Sequence, residues 1–112
     1  MEQTPQTARE IIFSLPGRLK RDKVSGELET TFHFDLNGET GGQYTVNLNG
    51  TECTVSDGLT GVPNCVVSAD ASVYEDVELG RANPTMAFME GKVRVSDIGE
   101  MMKFMGLFAT IA

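Results

Sequence analysis

An α+β fold is predicted: a five-stranded, mostly antiparallel sheet with helices covering one face. Three observations predict it. Apolar residues alternate with period two through the middle of the chain, as Phe32, Phe34 and Leu36, then Tyr44, Val46 and Leu48, then Cys53 and Val55. That is the pattern of strands with one buried face. Gly- and Asn-rich stretches separate these runs at hairpin length, notably Asn37–Gly42 and Asn49-Gly50. Apolar residues at helical spacing lie before and after them, so helices flank the sheet and share one core with it.

The elements follow in order. Thr4-Pro5 reads as a helix start, with Ala8, Ile11, Ile12 and Leu15 on the apolar face and Pro16-Gly17 as the stop. Residues 18–29 carry the basic cluster Arg18, Lys20, Arg21 and Lys23, expected as a solvated, irregular stretch. Three strands then form an antiparallel meander whose Phe32, Phe34, Tyr44, Val46, Cys53 and Val55 face the helices. Pro63-Asn64 precedes a fourth strand over 65–69. Asp70, or Ser68, caps a helix over 71–79 in which Ala71, Tyr74 and Val77 share a face, and Gly80 closes it. Asn83-Pro84 opens a short helix with Met86, Phe88 and Met89. Val93 and Val95 mark a fifth strand, and Asp97 caps a terminal helix running through Ile111.

At 112 residues the chain makes one domain, residues 1–112. Apolar residues are 40% of it, a globular composition. Sixteen acidic against nine basic residues leave a net charge of -7, which repels nucleic acid and opposes tight docking on anionic lipid. No apolar run approaches a membrane span, so stable membrane insertion is not expected. The N-terminus lacks the charged and apolar regions of a signal peptide, which predicts a soluble, cytoplasmic protein.

Catalytic chemistry is not expected, nor a metal or cofactor. His33 is the single histidine and falls on the outward register of the first strand, as a solvent-exposed side chain would. No zinc-protease, phosphate-loop or dinucleotide motif is present. Glu75, Asp76 and Glu78 read as an exposed helix face, and Glu27 and Glu29 as solvated. Cys53 and Cys65 match no metal spacing and read as buried free thiols, kept protonated by burial without a cationic neighbour. One disulfide stays open should their strands adjoin.

The C-terminal third is unusual. Five of the six methionines lie between Met86 and Met105. On a 3.6-residue period Ile98, Met101, Met102, Met105 and Phe108 form one stripe, which Phe104, Leu107 and Ile111 widen beyond a single packing face. Flexible methionines suit an irregular or variable partner. The stripe fits a broad core helix, a face docking a second subunit as a homodimer, or the wall of a lipid-sized cavity.

Taken together, the alternating FHFDLNGETGGQYTVNLNG at 32–50, Asp57-Gly58, the stretch PNCVVSADASVYEDVELGRANPTMAFMEGKVRVSD at 63–97 and the ending MMKFMGLF at 101–108 resemble the sterol carrier protein 2 (SCP-2) family. That resemblance implies a sheet and helices around an apolar tunnel for fatty acid, acyl-CoA or sterol, bound and presented without catalysis. Phe88, Met89, Met101, Met102, Met105 and Phe108 would then line the wall. Tyr44, Val46, Cys53 and Val55 join them by their inward register alone. The chain departs from the family where Tyr44 stands at a common Trp position and Ser96-Asp97 at a common Gly-Asp. Its ending, Thr110-Ile111-Ala112, is no peroxisomal address. Acyl-CoA phosphates would need Arg81, Lys92 or Arg94 at the tunnel mouth. No residue favours a sterol over a straight chain.

Overall fold

The computed structural model describes residues 6–24 and 26–109. In chain order these form helix α1 (Ala8–Phe13), helical turn α2 (Leu15–Arg18), a 3-10 turn (Arg21–Lys23), strands β1 (Glu29–Asn37), β2 (Gly42–Asn49), β3 (Glu52–Asp57) and β4 (Cys65–Asp70), helices α3 (Ala71–Glu78) and α4 (Pro84–Met89), strand β5 (Val93–Val95) and helix α5 (Ile98–Met105). The five strands form one sheet in the order β3-β2-β1-β4-β5. The β1–β2–β3 meander is antiparallel as its turns demand, with Gly50 at φ 61° in the second turn. β4 lies parallel to β1 and antiparallel to β5. None of the described helices is long and apolar enough to cross a membrane.

The predicted register holds. Phe32, Phe34, Tyr44, Val46 and Cys53 are buried on the helix side, and Val55 is half-buried there. Cys65 and Val67 of β4 continue the same face beside Phe32 and Phe34. Helices α1, α3 and α5 close over it. Phe104 of α5 stacks on Phe32 with ring centroids 4.2 Å apart and meets Phe34 at 6.0 Å. Phe34 in turn packs edge-on to Tyr74 of α3 at 5.8 Å.

Because β4 is parallel to β1, the chain must cross from the β3 edge to the far side of β1. Residues 58–64 make that crossing over the face opposite the helices. They bury His33, which corrects the expectation that it faces solvent: its Nε2 lies 2.8 Å from the Thr60 carbonyl, and the residue is 7% exposed. Thr45 Oγ1 donates to the Gly58 carbonyl at 2.7 Å and accepts from the Thr60 amide at 3.0 Å. The outward register was read correctly, but the surface it reaches is covered.

The strand order also decides the cysteines. β2 and β1 separate Cys53 from Cys65. Three strand spacings put them about 14 Å apart, beyond the reach of a disulfide. Both are buried and free.

Both ends depart from the predicted helices. The expected start at Thr4-Pro5 lies outside the described residues. The described helix begins at a capping box: the Glu10 amide donates to Thr7 Oγ1 and the Thr7 amide to Glu10 Oε1. α1 ends at Ser14, two residues before Pro16. Pro16-Gly17 lie inside α2 and do not open a loop, since a proline is tolerated in the first turn. α5 stops at Met105, so Phe108 is not helical. Instead residues 107–109 pair with 18–20, through Lys20 N to Leu107 O and Ala109 N to Arg18 O, both 2.7 Å. Ile111 lies outside the described residues.

Candidate functional site

Between α2, α3 and α5 the apolar core opens into a recess of about 170 Å³. Phe34, Phe104 and Phe108 line it, with Leu15 from α2, Val77 from α3, Pro84, and Met101 and Met105 from α5. This volume compares with an engineered cavity of roughly 150 Å³ that admits benzene. A longer guest must push aside the methionines, whose unbranched side chains re-pack readily.

Part of the lining is polar, and its residues were not anticipated. Arg18, Tyr74 and Glu78 all face it. Arg18 is not in a solvated loop: its side chain is 14% exposed, and three acceptors hold it. Nε donates to Ser14 Oγ at 2.9 Å, Nη1 to the Ala109 carbonyl at 2.9 Å and Nη2 to the Ile11 carbonyl at 3.3 Å. The guanidinium thus adds a donor to a carbonyl near the end of α1, which also accepts from Ser14, and ties down the C-terminal segment. Glu78 Oε2 lies 3.8 Å from Nη1, an ion pair longer than a hydrogen bond. Burial pushes the Glu78 carboxyl up, and the charge of Arg18 opposes this without cancelling it. The Tyr74 hydroxyl is pushed up well above its ordinary range, by burial first and by Glu78 second.

The acidic group on α3 is therefore not a uniform exposed face. Glu75 Oε2 accepts from the Ala8 amide and from Thr40 Oγ1, both at 2.7 Å, joining α1 to the β1–β2 turn. Asp76 pairs with Arg81 at 3.0 Å. Only Glu78 turns into the recess. Helical spacing held a signal for it, because Glu78 lies four residues after the apolar Tyr74 and so shares its face. Likewise Arg18 follows Leu15 by three.

Of the ten residues selected from sequence, Met101, Met105 and Phe108 line the recess. Tyr44, Val46 and Cys53 pack in the sheet core away from it, with Val55 at its margin. Phe88, Met89 and Met102 point to solvent at 43%, 75% and 70% exposure. α4 buries Ala87 and turns its larger side chains outward. Arg81, Lys92 and Arg94 do not line the recess. Lys92 and Arg94 lie in a separate polar depression with Asn37 and Ser68.

The model of the SCP-2 sterol transfer family matches residues 14–109. The chain belongs to this family. Membership associates it with lipid or sterol binding and transfer. Hydroxysteroid dehydrogenase-like protein 2 of Bos taurus is 26% identical over 98 residues, covering 83% of this chain and 23% of that protein. The chain thus spans less than a quarter of the curated relative it matches. Sterol carrier protein 2 like 2 from Aedes aegypti superposes with a TM-score of 0.69 at 18% identity, over 87% of this chain and 89% of that one. A stereoselective inverting sec-alkylsulfatase from Pseudomonas sp. gives 0.77 at 18% identity, over 98% of this chain but 17% of the sulfatase. At these identities the structural likenesses establish the shared fold.

Proposed function

We propose that this SCP-2 domain is a non-catalytic carrier that binds an apolar, lipid-like molecule in the recess between α2, α3 and α5 and releases it unchanged. The observation that carries this reading is an open, largely apolar recess with methionines on one wall, continuous with the aromatic core. The guest is a fatty acid, an acyl-CoA or a sterol. Met101, Met105 and Phe108 are assigned to contact the guest, and α5 to move aside as it enters.

The energetics suit a carrier. Ten buried methylenes contribute about 8 kcal/mol at roughly 0.8 kcal/mol each. Ordering and association costs are subtracted from this. The remainder corresponds to binding in about the micromolar range, which permits release as well as capture.

Native mass spectrometry of the purified protein, followed by extraction and titration with fluorescent fatty-acid and sterol analogues, tests the reading. A bound lipid recovered chemically unchanged supports it. A clean protein that ignores both analogues overturns it. Met105→Trp fills the recess and is expected to weaken binding at least about tenfold, the cost of losing roughly two methylenes of burial. Met102→Trp, on the solvent side of the same helix, is expected to leave affinity unchanged. Equal effects from the two would place the ligand elsewhere.

A further inference from the structure

An apolar recess could have been lined by apolar side chains alone. This one includes an ion pair, Arg18 with Glu78, whose members are held very differently. Arg18 is fixed by three acceptors on α1 and in the C-terminal segment, none of them Glu78. Its charge would stay in place if Glu78 were neutral. Glu78 is the looser partner, at 3.8 Å and with its side chain 22% exposed. The arrangement is a positioned cation whose counter-ion can be replaced.

Resting on the carrier reading, we propose that the recess selects lipids with a carboxylate head group, which takes the place of Glu78 beside Arg18 while Glu78 accepts a proton from solvent. The charge balance requires that proton. Arg18 with two carboxylates would leave one uncompensated negative charge in a largely buried site, an arrangement that neutralisation avoids. Burial already pushes the Glu78 carboxyl up, so its protonation is favoured relative to an exposed glutamate. Among the described residues, the groups that face Glu78 are few. Arg18 comes from α2 and Tyr74 from its own helix, while Pro84, Met101, Met105 and Phe34 present no titratable atom to the recess. A guest with a neutral head has no anion to exchange, so its entry needs no proton.

The experiment compares dodecanoate with dodecanol, equal in chain length and different in head group, by calorimetry at pH 6, 7 and 8. Each is measured in two buffers of unequal ionisation enthalpy, on the natural chain and on Glu78→Gln. For the natural chain dodecanoate is expected to bind with uptake of close to one proton. Its affinity should fall on the order of tenfold per pH unit above the Glu78 titration, as one linked proton requires. Dodecanol should bind with no proton uptake and no slope. Glu78→Gln conserves the shape of the side chain and removes its charge. It should abolish uptake and slope and raise dodecanoate affinity at pH 8 about tenfold or more. Proton-independent binding of both ligands by the natural chain, or a slope that survives in Glu78→Gln, overturns the head-group inference and leaves the carrier reading standing. Binding of neither ligand overturns the carrier reading itself.

Discussion

Cys53 sits on β3 facing the helices, and burial pushes its thiol up to about 11 against the opposing charge of Arg21. The cationic neighbour absent from the sequence reading does exist, but burial outweighs it. Cys65 is fully buried, and its Sγ lies 3.5 Å from the Asp97 carbonyl. The thiolate is the reactive form, so the raised value of Cys53 means protonated, inert sulfur at neutral pH, while burial keeps reagents from Cys65. A thiol reagent at pH 7.5 is therefore expected to label neither cysteine in the folded protein and both after denaturation. Labelling of Cys53 should rise only as the pH approaches 11. Prompt labelling at neutral pH would show that β3 opens easily. The same contest between burial and a nearby charge governs Glu78. There the charge stands beside a recess, and protonation acquires a use in binding.

For the helices, the decisive question is which face turns inward. α5 carries an apolar stripe broader than one packing face, and the structure selects Phe104 as the residue that packs on Phe32. Met102, two positions earlier, lies on the solvent side. Phe104→Ala is expected to destabilise by about 3–5 kcal/mol, the cost of emptying a buried aromatic site. Met102→Ala should stay within about 0.5 kcal/mol, as exposed substitutions do. Urea denaturation of the two variants measures the difference. Similar losses would mean that α5 is rotated from the orientation described. The expected stripe of Ile98, Met101, Met102, Met105 and Phe108 thus splits. Met101 and Phe108 turn inward, Met105 borders the recess with part of its surface exposed, and Ile98 and Met102 face solvent. α4 teaches the same lesson with Ala87 inward and Met89 outward.

Across the whole molecule, stability is concentrated at the centre of the sheet. β1 pairs on both sides, antiparallel to β2 and parallel to β4, and its Phe32 and Phe34 anchor the aromatic cluster. β3 and β5 are the edges, and β5 has three residues. Native-state hydrogen exchange should therefore be slowest for the amides of β1 and fastest, within the sheet, for those of β5. Slow exchange in β5 equal to that of β1 would contradict this ordering. The segments that border the recess, α5 and residues 106–109, are held to the body by Phe104 and Phe108, by Thr30 Oγ1 donating to Glu100, by the pairing with residues 18–20 and by Arg18 Nη1 donating to the Ala109 carbonyl.

Much of this was legible in the residues themselves. Period-two alternation determined the strands and the inward register from Phe32 to Val55, because a strand's two faces are a local property of the backbone. Asn49-Gly50, Asn83-Pro84 and Asp97 marked a turn and two helix starts for equally local reasons. The capping box of Thr7 and Glu10 is an equally local signal, and the sequence reading missed it. Partner choice was not local. That β4 lies parallel to β1 is decided by the whole packed sheet. From it follow the crossing that buries His33 and the distance that keeps Cys53 and Cys65 apart. Nor could the broad apolar stripe of α5 declare which of its residues meets Phe32. Arg18 and Glu78 are 60 positions apart in the chain. Each looks like an ordinary surface charge until α2 and α3 close over the same recess, and only that closure turns two charges into a site.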